Sequence, residues 1–178
     1  GTESAVEQAN KLMADPNIAT VGIILGFGGM IAVFIGLLNI CRSMVTIGGK
    51  GSPYANIATV LFMALIAGSI LAAGLELGTT KATLAASGGA LMDVSVALSG
   101  SAQITMGIAL ILLGVAIAFH KNFHIIAAAL GVITGVMLIA SSSTDSAEGL
   151  GWLLQLVGWI GFPLTALVLG GLTIRSKS

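Results

Sequence analysis

Residues 16–41 read PNIATVGIILGFGGMIAVFIGLLNIC, 26 consecutive positions without Asp, Glu, Lys or Arg. A hydrocarbon core is about 30 Å thick and a helix rises about 1.5 Å per residue, so roughly 20 apolar residues cross it. This stretch holds a crossing with turns to spare. Outward from it, four more uncharged stretches follow at 51–75, 94–120, 122–144 and 149–174, of 25, 27, 23 and 26 residues. Each holds a full span. The sequence therefore predicts an all-α, polytopic membrane protein of about five transmembrane helices, with spans near 18–41, 55–75, 104–119, 125–140 and 150–174.

The composition agrees. Hydrophobic residues make up 56% of the 178, charged residues only 8%, and the mean hydropathy is +1.07. A soluble domain carries roughly 25% charged residues. Short connections leave no room for a soluble domain, so one membrane domain over 1–178 is expected. A formal net charge of zero lacks the basic patch that nucleic-acid recognition needs, and none is predicted. Cys41 is the one cysteine, which excludes an intramolecular disulfide.

The loop charges sort by sign. Arg42 and Lys50 fall between spans one and two, Lys121 between three and four, and Arg175 with Lys177 after five. All seven acids fall on the other side, joined only by Lys11 and Lys81. The positive-inside rule then places the N-terminus outside and the C-terminus in the cytoplasm. An exported N-terminus calls for a signal peptide, and Gly1 is compatible with its removal.

Ahead of the first span, residues 4–14 read as a short amphipathic surface helix. Ser4 and Glu7 match a capping box, and Val6, Ala9 and Met13 recur at helical spacing. A frayed tail is the alternative for so short a segment. Asp15-Pro16 breaks the chain before span one, because a residue preceding proline is pushed out of the α region. Gly48, Gly49, Gly51 and Pro53 mark a tight turn after it. Residues 76–102 fit an interfacial helix, a re-entrant piece or an outward extension of span two. Pro163 predicts a kink in span five.

Small residues four apart line single helix faces: Gly22 and Gly26 in span one, Ala64, Gly68 and Ala72 in span two, Ala127, Gly131 and Gly135 in span four. Such faces admit close backbone approach, and packing drives association in lipid. They read as packing surfaces, within one molecule or between subunits. Pumps and proton-coupled carriers keep ionisable groups inside the bundle, whereas the polar groups nearest the spans here are Glu76, Gln155 and Asn39. The hydroxyls of Thr20, Thr59, Ser69, Thr105, Thr134 and Thr165 are expected to bond back to their own helices. His120 and His124, four apart, offer a metal pair if Cys41 converges on them, against a reading as interfacial histidines. No motif supports an enzyme, so no catalytic residue, metal or cofactor is expected. Bound phospholipid is compatible with the pattern, since Arg42, Lys50 and Lys121 lie at head-group level, where each base attracts anionic lipid by about 1 kcal/mol.

A surface helix, an apolar helix, a short basic glycine-containing loop and a second apolar helix make up residues 4–75. This pattern resembles the conjugative pilins of bacterial type IV secretion systems, whose membrane-stored subunits are helical hairpins and whose filaments incorporate phospholipid. The match is carried by Arg42 and Lys50 in the loop Arg42-Ser43-Met44-Val45-Thr46-Ile47-Gly48-Gly49-Lys50-Gly51. Residues 104–140 repeat the hairpin with Lys121 at its tip. In length and glycine-rich hydropathy the whole chain resembles the small multispanning proteins of Dot/Icm-like and IncI-type conjugation systems. The resemblance implies a non-enzymatic, pilin-like structural subunit of the bacterial inner membrane, oligomerising with copies of itself, other secretion components and membrane lipid, or leaving as an extracellular filament. The rival expectation is a small transporter or channel, with parallel hairpin repeats around a neutral path and a site at Gln155 and Pro163.

Overall fold

A computed structural model describes residues 4–119, 125–142 and 149–175. They form six α-helices: α1 (Ala5–Ala14), α2 (Pro16–Ile47), α3 (Ser52–Thr80), α4 (Ala85–Phe119), α5 (Ile125–Ser142) and α6 (Gly149–Arg175). No strand occurs among the described residues. Helices α2 to α6 are each long and apolar enough to cross a membrane, and the chain is a multi-pass membrane protein.

The helix ends follow local chemistry. At α1 the Ser4 backbone N–H donates to Glu7 Oε2 at 2.8 Å while the Glu7 N–H donates to Ser4 Oγ at 3.3 Å. The capping box is complete, and residues 5–14 are helix rather than a frayed tail. Pro16 opens α2, where a proline sacrifices no helix bond. Asp15 caps that start, its Oδ1 accepting the Ile18 N–H at 3.2 Å.

Two expectations are corrected. The 32-residue α2 runs through Arg42 to Ile47, so Arg42 belongs to a helix and not to the loop. A charge ends an apolar run, but only the backbone ends a helix. Here that happens at Gly48 and Gly49, whose φ values of 77° and 104° suit glycine alone. The second concerns residues 76–102, where of the three readings the outward extension of span two holds as far as Thr80. Residues 76–80 complete α3, a turn occupies 81–84, and 85–102 begin the 35-residue α4. That helix continues unbroken through the expected third span. It is about 52 Å long at 1.5 Å per residue, well beyond one bilayer core.

The chain divides into two compact units, Gly1–Ala32 with Ile66–Ala102, and Val33–Leu65 with Gln103–Ser178. In the first, α3 and α4 meet near their shared turn. A Cβ on Gly78 would lie 3.3 Å from Leu91 Cδ1, and the buried Ser95 hydroxyl donates to Glu76 Oε1 at 3.1 Å. Helix α1 lies against the start of α4, its Ala9 fully buried. The stripe Val6, Ala9 and Met13 faces Gly88 and Gly89, so the amphipathic face is turned onto protein.

The second unit has the larger apolar core. Phe34 of α2 packs against Phe62 of α3 and Phe162 of α6, with ring centroids 6.2 and 5.7 Å apart. Leu37, Cys41 and Met44 of α2 join Leu110, Leu113 and Ile117 of α4 in burial. Burying each such side chain is worth roughly 1.5–3 kcal/mol in water. In lipid that drive fades and close packing takes its place, which is why glycines matter here.

Candidate functional site

The 18-residue α5 presents small residues on two sides. Toward α4, a Cβ on Gly135 would collide with the Gly107 carbonyl oxygen and stand 2.7 Å from Ile111 Cγ1. One on Gly131 would approach the Leu110 carbonyl oxygen to 3.3 Å. From the α4 side, a Cβ on Gly114 would stand 2.7 Å from the Ala128 carbonyl oxygen. Both backbones use the missing side chains. Toward α6, a Cβ on Gly161 would lie 2.5 Å from Thr134 Oγ1, and one on Gly158 would lie 2.8 Å from Leu138 Cδ2.

Polar groups lock the same helices. Thr165 Oγ1 donates to the Gly161 carbonyl at 2.8 Å and lies 3.4 Å from Thr134 Oγ1, with both threonines buried. Gln103 Nε2 donates to the Leu138 carbonyl at 3.1 Å and to Ser141 Oγ at 2.7 Å, tying α4 to the last turn of α5. Four glycines and Gln103 thus join Gly131 and Gly135 as packing residues. The seven-residue step from Gly107 to Gly114 is the sequence signal that could have found two of them, being two helical turns on one face.

Gly22, Gly26 and Gly68 contrast with these. A Cβ at any of them would meet no atom within 4 Å, and the same holds for Gly28 and Gly29. On α2 the neighbouring Ile18 and Leu25 are 72% and 70% exposed. An open hollow lined by Asn17, Ile18, Val21 and Gly22 lies on this surface. Of the small residues in span two, Ala72 is buried and Ala64 is exposed.

The basic side chains stand outward. Arg42 is exposed on α2, its Nη2 3.8 Å from Met63 Sδ of α3. Lys50 is exposed in the turn after Gly49. Lys121, His120 and His124 lie outside the described residues, and Cys41 is buried on α2. Among the described residues no three His, Cys, Asp or Glu side chains gather as metal ligands. Asn39 is exposed, Gln155 is half-buried, and Pro163 lies exposed inside α6. Thr59 donates to the Ala55 carbonyl at 2.9 Å, the expected bond back to its own helix. Outside the spans, the Ser4 backbone N–H, with its hydroxyl, holds the Glu7 carboxyl below its ordinary 4.5.

No protein-family model, curated protein or solved structure matches this chain. Its geometry is therefore the ground for a functional reading. That geometry has one face of glycines engaged within the chain and another, on α2, left open.

Proposed function

We propose that this protein is a non-enzymatic structural subunit of a bacterial secretion or conjugation apparatus. It sits in the inner membrane with its N-terminus outside, and it works by packing its helices against copies of itself or other membrane components. One observation carries the reading: on α2, a Cβ at Gly22, Gly26 or Gly29 would meet no atom of another part of the described chain within 4 Å. Where glycines meet helices in the second unit, at Gly107, Gly114 and Gly135, they bring backbones into direct contact. The open α2 face has the same composition and awaits a partner helix, since small residues let helices associate where lipid provides no hydrophobic drive. The exposed Arg42 and Lys50, with Lys121, are assigned to anionic head groups on the cytoplasmic side.

Cysteine cross-linking in native membranes tests the proposal. Gly22→Cys, alone on the open face, is expected to give covalent dimers on mild oxidation, and Gly36→Cys, also open, serves as a comparison. A protein that stays monomeric at both positions, and elutes as a monomer in mild detergent with lipid added, overturns the self-association. Uptake or conductance in proteoliposomes, lost on changing Gln155, would turn the assignment to the small transporter instead.

A further inference from the structure

The open side of α2 has a period. Gly22, Gly29, Gly36 and Ser43 stand seven residues apart, and Leu25, Ala32, Asn39 and Thr46 repeat the same step three residues further on. All of them are exposed. Steps of three and four that recur every seven residues keep one line of a helix facing a partner helix over its whole length. The first set is small throughout, which lets a partner backbone approach closely. The molecule uses the same step internally, since Gly107 and Gly114 of α4, also seven apart, are where that helix meets the backbone of α5.

Asn39 says what the partner is. It lies in the uncharged run between the buried Leu38 and Ile40, and its side-chain amide has no hydrogen-bond partner among the described residues. Its neighbours on the line differ, because the Ser43 and Thr46 hydroxyls donate to the Ile40 and Arg42 carbonyls at 2.8 and 3.0 Å. A primary amide both donates and accepts, so two identical amides brought face to face satisfy each other. Copies of one chain carry the same loop charges and so take the same orientation in the membrane. Two α2 helices related by an axis along the membrane normal therefore run parallel, with Asn39 opposite Asn39 at equal depth. Charge does not oppose the approach, since residues 16–41 carry none. Arg42 flanks the line, with its Nη2 3.8 Å from Met63 Sδ of α3.

We infer that two copies of this chain pair through α2, parallel and in register, with the glycines at Gly22, Gly29 and Gly36 in close approach and the two Asn39 amides hydrogen-bonded to each other. The inference rests on the structural-subunit reading above and narrows it to one partner, one line of one helix and one register-setting residue. A crossing angle of about 20° goes with the seven-residue repeat. Asn39 acts as a single polar residue does in the core of a coiled coil, fixing register and partner number.

Whole chains with single cysteines in a Cys41→Ala background, in native membranes, test this. Leu25→Cys and Ala32→Cys lie on the line, and Ile24→Cys is exposed on another side of α2. Mild oxidation is expected to give covalent dimers at the first two positions and to leave the third monomeric. Differently tagged copies carrying Leu25→Cys and Ala32→Cys are expected not to join each other, because seven residues separate them by about 10 Å in depth, beyond disulfide reach. Asn39→Ala is expected to lower the dimer yield at Ala32→Cys by about three- to tenfold, the effect of losing a hydrogen bond between membrane helices. Asn39→Gln keeps an amide and is expected to lower it less. Equal joining at Ile24→Cys overturns the line, joining of Leu25→Cys to Ala32→Cys overturns the register, and a yield indifferent to Asn39→Ala overturns the amide pair. Oligomers on sizing with no joining at any α2 position overturn this inference alone, whereas a monomer by both measures overturns the self-association proposed above with it.

Discussion

Replacing Gly114 by alanine puts one methyl group between two backbones. Its Cβ would stand 2.7 Å from the Ala128 carbonyl oxygen, 2.7 Å from Val132 Cγ2 and 3.0 Å from the Val132 nitrogen. A carbon beside a carbonyl oxygen rests at about 3.3–3.6 Å, so α4 and α5 must part by roughly 0.7 Å. A gap of that size forfeits about a quarter to a half of each dispersion contact worth 0.1–0.2 kcal/mol. Over the ~40 atom pairs that a buried side chain and its neighbours make, the loss is about 1–4 kcal/mol, overlapping the range found for overpacked cores. Unfolding in mixed micelles, followed by tryptophan fluorescence against denaturing detergent, measures it. Gly36→Ala in α2 is the control, because its Cβ meets nothing within 4 Å, and a change under about 0.5 kcal/mol is expected there. If Gly114→Ala is as stable as Gly36→Ala, the direct backbone contact of α4 with α5 is wrong.

Other consequences follow from the same structure. Thr134→Val removes a hydroxyl 3.4 Å from Thr165 Oγ1, and a loss of about 0.6 kcal/mol is expected by the same unfolding assay, the average for hydrogen bonds between membrane helices. Gly49→Ala must hold alanine at a φ of 104°, which is expected to cost about 1–2 kcal/mol and to open the α2–α3 turn to protease. The Glu7 carboxyl is held below its ordinary 4.5, so its capping contribution is present at neutral pH and is lost as pH falls below that value. Chemical shifts of Ala5 and Ala9 are expected to move toward coil on acidification in the wild type and to stay unchanged with pH in Glu7→Gln.

Much of this fold is legible in the sequence, and the parts that are not each have a cause. The uncharged runs locate all five long helices, Ser4 with Glu7 locates the start of α1, and Asp15-Pro16 locates its end. Helix extents are misread at Arg42 and Glu76, because hydropathy stops at a charge whereas the helical hydrogen-bond ladder does not, and the start of α4 is missed because residues 85–102 are rich in Ala, Ser and Gly. Glycine spacing is informative about a face but silent about its partner. Gly22 with Gly26 and Gly131 with Gly135 have the same four-residue step, yet one pair is open and the other is pressed against α4. That difference comes from tertiary packing and from Gly107 and Gly114, 17 or more residues away in the chain. Likewise Val6, Ala9 and Met13 announce an apolar stripe, and only the fold reveals Gly88 and Gly89 as its bed.

The most direct test of the membrane reading uses single cysteines at Lys50 and Lys81, at opposite ends of α3, in a Cys41→Ala background in intact spheroplasts. A membrane-impermeant maleimide is expected to label Lys81→Cys from outside and to reach Lys50→Cys only after the membrane is permeabilised. Labelling of both positions from the same side would contradict a membrane-crossing α3 and the five-span account built on it.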